Sequence, residues 1–119
     1  MPLSVKNVFG LLLRSKLLPA DDAKAIFQRW QNDAKHHAED LERFRRWLIN
    51  HHYLTEYQVN LLCRGHADGF FVADYKIMDR LGRGRMAGVY KAVHSSGQVI
   101  AIKVLPPSKA KDPYLLSRF

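Results

Sequence analysis

Two hydrophobic periodicities divide the chain near residue 70. Before that point apolar residues recur every three or four positions, as they do on one face of an amphipathic α-helix. After it, short runs rich in β-branched residues are separated by turn-forming residues, which is typical of strands. The pattern predicts an α+β chain with a helical domain over residues 1–69 and a β-rich domain over residues 70–119.

Four helices are predicted in the first domain, each from its start signal. Ser4 can cap the first helix, and Pro19, followed by two aspartates, suits the first turn of the second. The third follows a polar break at 32–37. Thr55 with Gln58 three residues later is a capping-box signature for the fourth helix.

The helical pattern repeats after 36 residues, because the apolar positions of the first two helices coincide with those of the next two. The aligned positions are Val5, Val8, Leu12, Leu13, Leu18, Ala23 and Ile26 with Leu41, Phe44, Leu48, Ile49, Leu54, Val59 and Leu62. We expect two helical hairpins packed as a small four-helix bundle. A helical-repeat interaction module is the alternative, although such modules usually need three or more repeats.

The second domain is predicted to be a three-stranded antiparallel β-meander. Its strands cover residues 75–82, 88–94 and 98–105, and residues 95–97 form a hairpin turn. In the third strand Lys103 shares a face with Ala101. Burying a lysine in so apolar a strand is costly unless an anion meets it, and an exposed edge lysine is the alternative.

The strand sequences carry a family resemblance. Residues 81–92 read Leu-Gly-Arg-Gly-Arg-Met-Ala-Gly-Val-Tyr-Lys-Ala, and residues 100–103 read Ile-Ala-Ile-Lys. At hairpin spacing, a glycine-bearing loop and these two strands resemble the start of the bacterial, eukaryotic-like (Hanks-type) serine/threonine protein kinase domain. The resemblance runs from Tyr75 to Val104. The helical domain also resembles extensions found ahead of such kinase domains.

The resemblance implies a kinase that transfers the γ-phosphate of ATP, with Mg²⁺, to serine or threonine of protein substrates in signal transduction. Leu81, Val89 and Ala101 would pack on adenine, and Lys103, the implied catalytic residue, would reach the α- and β-phosphates. Ala87 departs from the family pattern by standing at the third glycine position. The implied nucleotide-binding residues are Leu81, Gly82, Arg83, Gly84, Arg85, Met86, Ala87, Gly88, Val89, Ala101 and Lys103.

The remaining kinase signatures do not occur in these 119 residues. There is neither a His-Arg-Asp catalytic loop nor an Asp-Phe-Gly magnesium site. We therefore expect an amino-terminal kinase fragment that is inactive and binds nucleotide weakly at most. Residues 115–119 are interpreted as the approach to the next helix. The edge of the third strand is then expected to be open to self-association.

Charge and composition limit the other partners. The net charge is +8, yet residues 1–70 hold 10 Lys and Arg against 8 Asp and Glu, while residues 71–119 hold 9 against 3. A near-neutral helical domain argues against a DNA-reading role for Arg43, Arg45 and Arg46, so no nucleic acid partner is expected. The adjacent pairs His36-His37 and His51-His52 are interpreted as solvated surface, because neighbouring histidines on a helix point in different directions.

Two further features concern the compartment and an alternative role. One cysteine, Cys63, leaves no internal disulfide, and no apolar run is long enough to span a membrane, so a cytoplasmic protein is expected. The alternative function is a docking or dimerisation module, suggested by the many aromatic residues of the helical domain. These are Phe27, Trp30, Phe44, Trp47, Tyr53 and Tyr57.

Overall fold

The computed structural model describes residues 3–81 and 88–103 fully and residues 114–118 as strand backbone. The chain divides into two compact units, Met1–Gly69 and Phe70–Phe119. The first is helical and the second is an antiparallel sheet, so the predicted α+β class is confirmed.

Three of the four helices begin at a residue whose side chain caps them, and the second helix begins after Pro19 without a side-chain cap. Ser4 and Thr55 form capping boxes, in which the side-chain oxygen accepts from a backbone N–H three residues later. Asp40 accepts the same kind of bond from the N–H of Arg43 at 3.1 Å. A single 3₁₀ turn, Lys35–His37, follows the second helix. The helices are α1 Val5–Ser15, α2 Ala20–Ala34, α3 Leu41–Asn50 and α4 Glu56–Cys63.

The 36-residue spacing recurs in the backbone of the helical unit. The starts of α1 and α3 are 36 residues apart, and so are those of α2 and α4. The spacing extends to the turns, because Lys16 and His52 both adopt left-handed backbone conformations, with φ of 61° and 60°. The two copies differ most in their second helices: α2 has 15 residues and α4 has 8, whereas α1 has 11 and α3 has 10.

The core of the helical unit is apolar and its buried polar atoms are satisfied. The hydroxyl of Ser15 donates to the carbonyl of Leu12 at 2.7 Å and accepts from the N–H of Leu17 at 3.1 Å. These bonds offset the cost of removing the hydroxyl from water. The buried apolar side chains include Val5, Val8, Leu12, Leu17, Ala23, Ile26, Trp30, Phe44, Leu48, Leu54, Val59 and Leu62.

The second unit is a sheet of five antiparallel strands in chain order. The prediction of three strands is therefore wrong. The first strand has two residues, too few to produce a hydrophobic pattern, and the last lies where the approach to a helix was predicted. The strands are β1 Phe71–Val72, β2 Tyr75–Leu81, β3 Val89–His94, β4 Val99–Lys103 and β5 Tyr114–Arg118.

The predicted open edge of the lysine-bearing strand is also wrong. β5 pairs with β4 over the register Ile100↔Arg118 to Lys103↔Tyr114. The backbone N–H and C=O groups on that side of β4 are thus met within the chain. Self-association through this edge has lost its physical basis.

Four buried residues share one face of the sheet. Ile77, Ala92, Ile100 and Ile102 are each at most 3% exposed. Between β3 and β4 the predicted turn is present: the N–H of His94 donates to the carbonyl of Gln98 at 2.9 Å. Gly97 in this turn has a φ of 94°, a conformation that favours glycine.

The left-handed conformation of Lys16 gives a test of the helical turns. We expect Lys16→Gly to raise the free energy of unfolding by about 0.5–1 kcal/mol, because glycine adopts this conformation without the clash of a Cβ. The matched change Lys24→Gly, at an exposed position inside α2, should lower it by about 1 kcal/mol. Urea denaturation followed by circular dichroism measures both. A loss of stability in both variants would contradict the assigned turn.

Candidate functional site

The strand register brings together four of the residues implied to bind nucleotide. Leu81 of β2 pairs with Val89 of β3, and Val89 pairs with Lys103 of β4. Directly paired residues of antiparallel strands place their side chains on the same face, and so do residues two apart on one strand. Leu81, Val89, Ala101 and Lys103 therefore share one face of the sheet. We call this set the Lys103 row.

The Lys103 row is an apolar surface that ends in a cation. Val89 and Ala101 are 4% and 6% exposed, while Leu81 and Lys103 are half-buried. A rise of about 3.4 Å per residue puts the Cα atoms of Ala101 and Lys103 about 7 Å apart. The row thus places three apolar side chains beside one ammonium group on the same face of the sheet.

Lys103 lies in the interior of the sheet. β4 has a neighbour on each side, β3 and β5. Lys103 is therefore not on an edge strand, and the alternative of an exposed edge lysine is wrong. Within residues 3–81 and 88–103 no carboxylate forms an ion pair with its ammonium group.

Gly88 stands between the implied loop and β3. Its φ is 90°, so this position favours glycine over a residue with a Cβ. The glycine that follows Ala87 is thus required by the turn into the strand. The other implied loop residues lie outside the described residues: Gly82, Arg83, Gly84, Arg85, Met86 and Ala87.

Sequence reasoning missed a groove on the same side of the sheet. It has a volume of about 670 Å³ and is lined by Leu81, Lys91, Gly97, Gln98 and Val99. That volume lies in the range of small-molecule sites. Lys91 and Val99 could have been found from the period of two in their strands, which places them on the face of the Lys103 row.

Charge on this face is mixed. Exposed Lys91 lies directly opposite exposed Asp79 in the register of β2 and β3. Arg80, the next residue, falls on the other face opposite Tyr90. Lys103 is thus the half-buried cation at the apolar end of the face, and Lys91 is an exposed one beside an acid.

The described residues of the helical unit do not form a metal site. His36, His37, His51 and His52 are exposed, and no group of three potential metal ligands occurs in the described ranges. The guanidinium of Arg45 donates to Glu42 at 2.7 Å, which lowers the pKa of that carboxyl.

Cys63 lacks the features of a nucleophile. Burial raises the pKa of its thiol, so the reactive thiolate is less populated than in an exposed cysteine. No helix among the described residues is long and apolar enough to cross a bilayer.

Comparison with protein-family models, with curated proteins and with solved structures found no match to this chain.

The two faces of the sheet predict different costs for truncation. Ile102→Ala on the buried face should lower the free energy of unfolding of the sheet by about 2–4 kcal/mol, through lost burial and an unfilled cavity. Val99→Ala on the face of the Lys103 row should cost about 1 kcal/mol or less, because Val99 is only half-buried and loses less contact than Ile102. Native-state hydrogen exchange of the strand amides measures both. If both variants lost the same free energy of unfolding, the two faces would be equally buried and neither would be open to a ligand.

Proposed function

We propose that the second unit supplies part of the ATP site of a serine/threonine protein kinase. The observation that carries the proposal is the Lys103 row. Its three apolar members, Leu81, Val89 and Ala101, suit an adenine ring, and its cation suits the phosphates of the same nucleotide. The protein that contains this sheet would transfer the γ-phosphate of ATP to serine or threonine side chains of other proteins.

The division of labour follows from the chemistry of the side chains. A half-buried ammonium group interacts more strongly with phosphate than an exposed one, because less water competes for either charge. Val89 and Ala101, which are buried, would exclude water from one side of the adenine ring. Loop glycines at residues 82 and 84 would let backbone N–H groups approach the phosphates.

These 119 residues would bind nucleotide without transferring its phosphate. Mg²⁺ would neutralise phosphate charge in the complete site, but the Asp-Phe-Gly and His-Arg-Asp sequences that supply its ligand and the base do not occur here. Positioning and charge stabilisation provide nearly all of the catalysis in phosphoryl transfer. The testable property of the chain is therefore the placement of nucleotide beside Lys103.

Lysine acylation by an acyl phosphate ester of ATP tests this placement. A bound phosphate holds the acyl group beside the nearest amine, which attacks the carbonyl and releases ATP. We expect acylation at Lys103 to exceed that at Lys91, although Lys91 is the more exposed of the two. Peptide mass spectrometry locates the label, and excess ATP should reduce it at Lys103 alone.

Two variants control the acylation experiment. Both changes preserve charge, but an arginine that stays protonated is not acylated, so Lys103→Arg should lose the ATP-sensitive label while Lys91→Arg should keep it at Lys103. Labelling that follows exposure, or that excess ATP does not reduce, would refute the proposal.

A further inference from the structure

The pairing of β5 with β4 extends the Lys103 row by one strand. Leu81 pairs with Val89, Val89 pairs with Lys103, and Lys103 pairs with Tyr114 of β5. Tyr114 therefore lies directly opposite Lys103, at a position on the face of the row. The family resemblance implies no nucleotide-binding residue after Lys103, so this position is an addition made by β5.

An irregularity in the pairing of β5 determines which of its residues share this face. The register passes from Ala101↔Ser117 directly to Ile102↔Leu115, so β5 has one extra residue at that point. In a regular strand Tyr114 and Ser117, which are three residues apart, would lie on opposite faces. Because of the extra residue, both hydroxyl-bearing residues of β5 occupy positions on the face of the Lys103 row.

Lysine and tyrosine have complementary chemistry toward a phosphate group. Directly paired residues of antiparallel strands have Cβ atoms about 4.5–5.5 Å apart, so two long side chains at such positions can reach one anion. An ammonium group supplies charge and three N–H donors, while a phenol supplies one O–H donor without charge. In protein–DNA complexes both kinds of group donate to phosphate oxygens.

The place of Tyr114 in the row indicates which part of a nucleotide it would meet. Lys103 stands between Val89 and Tyr114 in the register, so β4 separates Tyr114 from the apolar residues Leu81 and Val89. The adenine ring is proposed to lie on those apolar residues and the phosphates beside Lys103. Tyr114 thus lies at the phosphate end of the row.

We propose that Tyr114 is a further nucleotide-binding residue, whose phenol donates a hydrogen bond to the phosphate that Lys103 holds. The inference rests on the nucleotide site proposed above and adds a neutral donor from β5 to it. A hydrogen bond to a charged phosphate is stronger than one between neutral groups. The contribution of Tyr114 is therefore confined to ligands that carry phosphate.

Parallel titrations with ADP and adenosine test the role of Tyr114, because the two ligands share base and ribose and only ADP carries phosphate. Chemical-shift changes of the methyl-labelled full chain give the two dissociation constants. We expect Tyr114→Phe to weaken ADP binding by about tenfold and to change adenosine binding by about twofold or less. Equal weakening of the two ligands would indicate a structural role, and unchanged ADP binding would indicate none. Either result would overturn the proposal.

Tyr90→Phe is the matched control, since it also removes one phenol hydroxyl from the sheet. Tyr90 pairs with Arg80 and Ile102, which places it on the opposite face. This variant should bind ADP within about twofold of the unaltered chain. A loss of ADP affinity as large as that of Tyr114→Phe would contradict the assignment to the face of the Lys103 row.

Nitration of tyrosine by tetranitromethane provides a measurement on the unaltered chain, which decides the question if a variant is misfolded by circular dichroism. Saturating ADP should suppress nitration of Tyr114 and leave that of Tyr90 unchanged, and adenosine should protect Tyr114 less than ADP does. Peptide mass spectrometry quantifies both sites. Equal protection of the two tyrosines, or equal protection of Tyr114 by the two ligands, would refute the phosphate contact.

The same titrations separate the role of Tyr114 from the nucleotide site on which it rests. If ADP binds the unaltered chain and Lys103→Gln equally, or binds neither, the nucleotide site fails and the role of Tyr114 fails with it. If ADP binding depends on Lys103 while Tyr114→Phe binds ADP like the unaltered chain, only the role of Tyr114 is refuted.

Discussion

The register between β2, β3 and β4 is the constraint on which the candidate nucleotide site depends. It aligns Leu81, Val89 and Lys103 across three strands, and the alternation along β4 adds Ala101 to the same face. A shift of one residue in any of these pairings would turn side chains to the other face. The register is held by burial, because Ile77, Ala92, Ile100 and Ile102 would become exposed by such a shift.

β5 changes the physical environment of Lys103. With β5 on one side and β3 on the other, the lysine lies in an inner strand and its backbone is paired in both directions. The side chain is half-buried at the end of an apolar surface. A cation in such a place is stabilised by an anion of a ligand, which makes the site more than an apolar patch.

The helical unit shows how a duplicated core can acquire a distinct surface. Helix starts and left-handed turns follow the 36-residue spacing, so the core is specified twice by similar side chains. The surface does not follow that spacing. Arg43, Arg46 and Trp47 have no counterparts at the corresponding positions of the first copy, and the second copy lacks an equivalent to the last turns of α2.

Local signals were sufficient to predict much of the fold. Ser4 and Thr55 determine helix starts through bonds that span three residues, so their sequence pattern identifies them. The hairpin turn at Gly97 was predicted for the same reason. β1 and β5 were not predicted. A short strand forms because it pairs with a neighbouring strand, and that pairing produces no hydrophobic pattern within the short segment itself.

The candidate sites also include features that a local sequence pattern predicts and features that depend on tertiary structure. The Lys103 row followed from period-two alternation combined with a family resemblance, both of which are visible in one strand and its neighbour. The same alternation places Lys91 and Val99 on this face, but the groove that they line with Gly97 and Gln98 depends on how the sheet brings separate strands together. The position of Tyr114 opposite Lys103 depends on the pairing of β5 with β4, which no pattern within residues 114–118 predicts.

The central claim is that the nucleotide lies on the face of the Lys103 row. Intermolecular nuclear Overhauser effects between ADP and a methyl-labelled chain test it most directly, because they identify the side chains within a few ångströms of the adenine protons. We expect contacts from the adenine protons to the methyl groups of Leu81, Val89 and Ala101, with none to Ile100 or Ile102. Contacts to the buried-face isoleucines, or an absence of contacts to the row at saturating ADP, would contradict it.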